Sequence, residues 1–121
     1  VNANAYEFSW HLRGALKAGA TDQDIDALMA ETNGAASSLP EVDRAVLRAA
    51  RDLSVDLSLA DETWALLEAH LGRERLIELI LAITYYNHVC RVAAALKLDI
   101  DEHVKLPMDR YPPPQRIGAW R

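Results

Sequence analysis

Apolar residues recur along most of the chain at steps of three and four, the spacing that places side chains on one face of an α-helix. We expect helices near residues 4–18, 22–32, 41–56, 60–71 and 74–97. No segment combines alternation of period two with β-branched residues, so a sheet is not expected. The third helix is amphipathic, whereas the fifth has almost no polar face, which predicts a central helix packed on several sides.

Polar residues mark the ends of the expected helices. Three tetrapeptides place an acid three positions after a serine or threonine, the pattern of a capping box, at residues 21–24, 38–41 and 58–61. Gly19 and Gly72 follow apolar stretches and can adopt the left-handed conformation that ends a helix. Both kinds of signal predict an all-α fold.

The C-terminal end differs from the rest of the chain in composition. Pro112-Pro113-Pro114 forbids a helix and favours extended polyproline geometry. We therefore predict a helical domain over residues 1–104 and an extended, proline-rich tail over residues 105–121. Ile117 and Trp120 in this tail suggest that it docks on a surface, such as that of a neighbouring subunit.

Length and charge narrow the classes of function. A chain of 121 residues fits one domain, and its net charge of −5 without any run of Lys or Arg makes nucleic acid an unexpected partner. The longest apolar run, Leu79 to Ile83, is too short to span a membrane, and no signal peptide is visible. Cys90 is the single cysteine, which precludes an intramolecular disulfide and suits a cytoplasmic protein. We expect it to be a small core residue.

A row of polar residues runs along the first expected helix. Asn4, Glu7, His11 and Gly14 follow one another at steps of three, four and three, which places them on one face, with space beside the imidazole at the glycine. A carboxylate one turn away can orient an imidazole that exchanges protons near neutral pH. The alternative is a surface pair worth a few tenths of a kcal/mol. A metal site would need a third ligand, and without an HExxH pattern none is predicted.

Motifs spread over roughly residues 5 to 100 point to a family. They are Tyr6-Glu7-Phe8-Ser9-Trp10-His11, Thr21 to Leu28, Leu47 to Leu53, Trp64 to Leu71, Glu78 to Asn87, and Arg91 with Ala95-Leu96. Together they resemble the carboxymuconolactone decarboxylase and alkylhydroperoxidase family. A distributed likeness of this kind is more specific than any single short motif. It implies a compact orthogonal bundle of about five helices.

The resemblance also implies a reaction class. The family's thiol peroxidase branch carries Cys-x-x-Cys-x-x-x-His on the corresponding helix, and alignment on His11 places the two cysteines at Asn4 and Glu7. Thiol peroxidase activity is therefore not expected, because it needs both sulfurs. The remaining Glu7–His11 pair implies a cofactor-free lyase acting on a small organic acid or lactone. The family further implies a homo-oligomer, a trimer or a hexamer.

Several other side chains are candidates for the same pocket. The predicted substrate-binding residues are Asn4, Trp10, Tyr85 and Asn87. Tyr86 and His88 are interpreted as packing residues. Arg13 or Arg91 would suit a substrate carboxylate, but each is equally consistent with a surface residue.

Two alternatives stay open. Family members usually have a further N-terminal helical segment, so either the natural protein is longer or another subunit supplies a wall of the pocket. The second function hypothesis is a non-catalytic oligomeric scaffold or small-ligand-binding protein on the same fold, because a fold does not determine a function.

Overall fold

The computed structural model of the chain describes residues 3–113, apart from the side chain of Leu106. Within that range the fold is all-helical, as predicted, and contains no strand. The elements are α1 Ala5–Lys17, α2 Asp22–Thr32, α3 Glu41–Val55, α4 Asp61–Leu71, α5 Arg73–Ala95, a 3₁₀ turn at Glu102–Val104, and α6 Leu106–Arg110. The bounds of the five predicted helices differ from those of α1 to α5 by at most two residues.

The end of α1 and the start of α2 follow the sequence signals. Gly19 has a φ of +103°, and the Ala20 N–H donates to the carbonyl of Ala15 at 3.0 Å, which closes the end of α1. Thr21 then caps α2 in a full capping box. Its hydroxyl accepts from the Asp24 N–H at 3.2 Å, and the Asp24 carboxylate accepts from the Thr21 N–H at 2.7 Å.

The capping boxes predicted at residues 38–41 and 58–61 are not formed. The N-cap of α3 is Pro40 and that of α4 is Ala60, and neither makes a side-chain cap hydrogen bond. Each serine lies two residues before the cap, so its hydroxyl is too early in the chain to satisfy the first turn. The acid of each tetrapeptide occupies the first helical position instead, where it still complements the positive end of the helix dipole.

Residues 106–110 form the short helix α6, where an extended tail was predicted. Pro107 lies in the first turn of this helix, a position at which its missing N–H is not needed. Tyr111 follows the helix, is buried, and donates its N–H to the Pro107 carbonyl at 3.0 Å. The polyproline prediction at Pro114 and the docking prediction for Ile117 and Trp120 lie outside the described residues.

The chain divides into two compact units. The central unit spans Thr21–Tyr85, and the terminal unit combines the two ends of the chain, described over residues 3–20 and 86–113. The core of the central unit consists of side chains from α3, α4 and α5 that are at most 1% exposed: Ala45, Ala49, Leu67 and Leu76. The two alanines lie one turn apart on α3, where their small side chains let α4 approach closely.

The terminal unit is built around α1. This helix packs against the 3₁₀ turn and α6. The buried apolar side chains are Leu12, Ala93, Val104 and Tyr111. Ser9 is also fully buried, and its hydroxyl donates to the Tyr6 carbonyl at 2.7 Å, which satisfies the polar atom inside its own helix.

α5 has an exposed apolar face, whereas the sequence predicted a central helix packed on several sides. Leu76 is fully buried, but Leu81 is 62% and Tyr85 is 61% exposed. A chain of this length forms a small core, which has too little surface to cover every face of a 23-residue helix. Neither α5 nor any other helix within residues 3–113 is both long and apolar enough to cross a membrane.

Candidate functional site

Glu7 and His11 lie one turn apart on α1 and form the predicted pair. The distance from Glu7 Oε2 to His11 Nε2 is 3.5 Å. The Glu7 side chain is 15% exposed, whereas that of His11 is 56% exposed. The carboxylate is therefore held within the protein while the imidazole reaches solvent, so the first group can orient the second.

Asn4 fixes the start of α1. Its Oδ1 accepts a hydrogen bond from the Glu7 N–H at 3.0 Å, as an N-cap residue does. Its Nδ2 donates to the Cys90 carbonyl on α5 at 2.9 Å. Both ends of the carboxamide are thus engaged within the chain. The structure shows Asn4 as the residue that positions the first turn, and with it the Glu7 carboxylate.

Tyr86 is the neighbour of His11 that the sequence analysis missed. The two rings meet edge to face, with centroids 4.7 Å apart and an interplanar angle of 83°. From the sequence, Tyr86 is predicted to be a packing residue and Tyr85 a substrate-binding residue. Asn4 contacts Cys90, and His11, further along the chain, contacts Tyr86, which comes before Cys90. α1 and this part of α5 therefore run antiparallel. The contact between Tyr86 and His11 depends on this pairing of helices, which the sequence alone does not show.

Cys90 lies close enough to the pair to be influenced by it. Burial raises the pKa of the Cys90 thiol, and the Glu7 carboxylate raises it further, while the Arg91 guanidinium opposes the rise. The thiolate is the nucleophilic form of cysteine, so a raised pKa keeps the sulfur unreactive near neutral pH. This electrostatic setting disfavours thiol chemistry at Cys90.

The other predicted substrate-binding residues have separate surroundings. Trp10 donates its indole N–H to Asp101 at 3.2 Å, and its ring meets that of His103 edge to face at 5.0 Å. Asn87 is buried, at 8% exposure, and Tyr85 is 61% exposed. The aromatic ring that the structure shows against His11 is that of Tyr86.

The two candidate arginines both donate to backbone carbonyls. Arg13 Nη1 donates to the His103 carbonyl at 3.3 Å, and Arg91 Nη1 donates to the Asn87 carbonyl at 2.6 Å. Both residues are exposed. Each guanidinium therefore has a structural contact with a backbone carbonyl of its own unit.

The surroundings of His11 are open in the single chain. A Cβ atom at Gly14 would meet nothing within 4 Å, in agreement with the space expected at that position. A cleft of about 680 Å³ lies in the terminal unit, and the described residues that line it include neither Glu7 nor His11. Its walls include Asn4, Tyr6, Ala93, Lys97, Leu98 and Lys105.

The described residues contain no set of three or more histidine, cysteine, aspartate or glutamate side chains placed to hold a metal ion. The Glu7–His11 pair alone offers two ligands, whereas zinc sites in proteins use three or four protein ligands.

Comparison of the chain with protein-family models, curated proteins and solved structures finds no match. The resemblance to the carboxymuconolactone decarboxylase family stays a prediction that depends on the sequence motifs.

Proposed function

We propose that the chain is a subunit of a homo-oligomeric, cofactor-free enzyme that transfers protons on a small organic acid or lactone. The pairing of a largely buried Glu7 carboxylate with a half-exposed His11 imidazole carries the proposal. A general acid or base must reach its substrate while its orientation stays fixed. The contact with Glu7, which Asn4 positions, provides that orientation.

The proposed reaction is a decarboxylation or a related proton exchange at carbon. The carbon–carbon bond to the substrate carboxylate breaks, and carbon dioxide leaves. The electron pair of that bond stays on the substrate and is delocalised onto the neighbouring carbonyl as an enolate. The His11 imidazolium then donates a proton to that carbon. Glu7 faces Nε2, so Nδ1 is the nitrogen available to the substrate.

The proposed oligomer completes the site. His11 is open to solvent in the single chain, and an enolate is better stabilised where water is excluded. The resemblance implies a trimer or a hexamer, and a neighbouring subunit over His11 supplies the missing wall.

The test is hydrogen exchange at carbon, which does not require the natural substrate to be known. The assembled protein is incubated in D₂O with a panel of small lactones and carboxylic acids, and ¹H NMR follows deuterium incorporation and loss of carbon dioxide. We expect His11→Gln to lower the rate by roughly 10²- to 10⁴-fold, the contribution of a general acid or base. Glu7→Gln is expected to cause a smaller loss.

His70→Gln is the matched control, because His70 is an exposed histidine of the central unit. It is expected to retain the wild-type rate. Equal rates for His11→Gln and the wild type would remove the site assignment.

A second candidate function is non-catalytic binding of a small ligand. The cleft of about 680 Å³ favours it, since ligand sites commonly occupy about 300–1,000 Å³. Its walls combine apolar surface with the amines of Lys97 and Lys105 and the carboxylates of Asp99 and Glu102, and Lys105 pairs with Glu102. An NMR titration with small carboxylates distinguishes the two functions. Shifts at Ala93 and Lys97 that persist in His11→Gln favour binding in the cleft, whereas shifts centred on His11 and Tyr86 favour the enzyme.

A further inference from the structure

The imidazole of His11 contacts side chains from two different helices. Glu7 Oε2, on α1, lies 3.5 Å from His11 Nε2, and the Tyr86 ring, on α5, meets the imidazole edge to face with centroids 4.7 Å apart. All three residues belong to the terminal unit. Because the two neighbours approach from separate helices, each can restrain a different movement of the ring.

The contact with Glu7 alone leaves the imidazole one freedom of movement. Two side-chain torsions place the ring of a histidine, and the second of them has broad minima. A single contact at Nε2 restrains one combination of the two torsions. The other combination stays open, since the His11 side chain is 56% exposed to solvent. A single orientation of the ring therefore needs a second contact.

The Tyr86 ring supplies that second contact. Its plane makes an angle of 83° with the imidazole plane, an arrangement that aromatic pairs favour and that is lost when the imidazole swings away. The tyrosine is held against α1, because one turn further along α5 the Cys90 carbonyl accepts a hydrogen bond from Asn4 Nδ2 at 2.9 Å. Asn4 also caps the turn that carries Glu7. Both contacts of the imidazole are thus fixed to the start of α1.

The orientation of the imidazole decides which of its nitrogens carries the proton in the neutral form. A carboxylate favours the proton on the nitrogen that it faces, which in His11 is Nε2. An imidazole that swings away from Glu7 loses this preference, and both tautomers become populated. The tautomer of neutral His11 therefore reports whether the ring is held in place.

We propose that Tyr86 is a positioning residue that, together with Glu7, holds neutral His11 in the tautomer with the proton on Nε2 and none on Nδ1. Its part in catalysis rests on the proposed function, in which Nδ1 is the nitrogen that meets the substrate. The positioning itself does not, because it concerns only the contacts of His11 within the terminal unit.

Long-range ¹H–¹⁵N NMR of the full chain measures the tautomer in alkaline solution, where an imidazole is neutral. The spectrum of His11→Gln assigns the His11 signals. We expect the wild type to be mainly in the Nε2–H form. Tyr86→Leu removes the aromatic contact and should lower the ratio of the two tautomers at least twofold, whereas Tyr86→Phe keeps the ring and should retain the wild-type ratio.

Tyr85→Leu is the matched control for the NMR measurement. It removes a tyrosine from the next position of α5, where the side chain is 61% exposed, and should leave the His11 tautomer unchanged. Tyr86→Met is a second variant without an aromatic ring and should behave like Tyr86→Leu. Tyr86 is 44% exposed, so these variants should fold, which circular dichroism checks.

The rate of hydrogen exchange at carbon, measured on the same variants, separates this proposal from the proposed function. With both correct, Tyr86→Leu lowers kcat with little change in KM, and Tyr86→Phe restores it. A tautomer shift in Tyr86→Leu without exchange activity in any variant supports the positioning role and removes the enzyme. Equal tautomer ratios in Tyr86→Leu and the wild type, or an equal loss in Tyr86→Phe and Tyr86→Leu, would overturn the positioning role.

Discussion

The central and terminal units use their interiors differently. The core cluster of the central unit consists only of aliphatic side chains, with Leu67 and Leu76 fully buried. In the terminal unit, Glu7 and Tyr86 contact the exposed imidazole of His11, and the Glu7 carboxylate influences the thiol of Cys90. The first arrangement supplies stability through apolar burial, and the second holds polar groups in position through short-range hydrogen bonds.

This difference indicates where substitutions should affect stability and where they should affect local order. Removal of apolar volume from the central unit should act on the whole folding equilibrium. Removal of a polar contact from the terminal unit should act mainly on the order of α1 and on the geometry of His11.

The largest expected effect is that of Leu67→Ala in the central unit. Leu67 is fully buried, so the substitution should lower the free energy of unfolding by about 2 to 5 kcal/mol. Urea denaturation followed by circular dichroism measures it. Leu57→Ala, at a residue that is 81% exposed, should change stability by less than about 0.5 kcal/mol. Similar costs for the two variants would contradict the assignment of the core.

An intermediate effect is expected for Asn4→Ala in the terminal unit. The variant loses the N-cap and the bond to the Cys90 carbonyl, so the free energy of unfolding should fall by about 1 to 2 kcal/mol. Hydrogen exchange should show reduced protection within α1. Asn4→Asp keeps the cap acceptor and loses the donor, and it should recover part of the protection. Unchanged exchange in Asn4→Ala would show that the cap does not control the order of this helix.

The smallest expected effect concerns the capping box of the central unit. Hydrogen bonds from the Thr21 side chain and backbone lower the pKa of Asp24 below 3.8. The stabilisation is complete above the ordinary pKa and is lost as the pH falls through the lowered value. Thr21→Val should therefore make the loss of stability in acid shallower, as measured by Tm from neutral pH to below about pH 4. Thr21→Ser keeps the hydroxyl and should reproduce the wild-type profile.

The helices could be predicted from the sequence because their signals are local. Periodicity and end residues lie within a few positions of each helix, and Gly19 and Thr21 act as predicted. Ser38 and Ser58 fail as caps because a shift of two residues decides which side chain meets the first turn. The prediction that α5 is packed on several sides was wrong, because the sequence pattern of an apolar helix is the same whether or not its own chain covers it.

The candidate site was only half predictable for the same reason. Glu7 and His11 share one helix, so their spacing alone places them together. Tyr86 comes from α5, and its contact with His11 depends on how α5 lies against α1. Nothing in the residues around Tyr86 distinguishes it from Tyr85 without that arrangement.

Because Cys90 lies close to Glu7, the reactivity of its thiol reports the charge of the Glu7 carboxylate. The chain has one thiol, so any alkylation at cysteine reports from a single known position. Its reaction rate follows the thiolate fraction, which the negative charge of Glu7 holds down. At constant pH, a bound cation that neutralises this carboxylate therefore speeds labelling of the sulfur. The rate at which the Cys90 thiol is labelled thus reports the charge of the Glu7–His11 pair, and no probe has to be introduced.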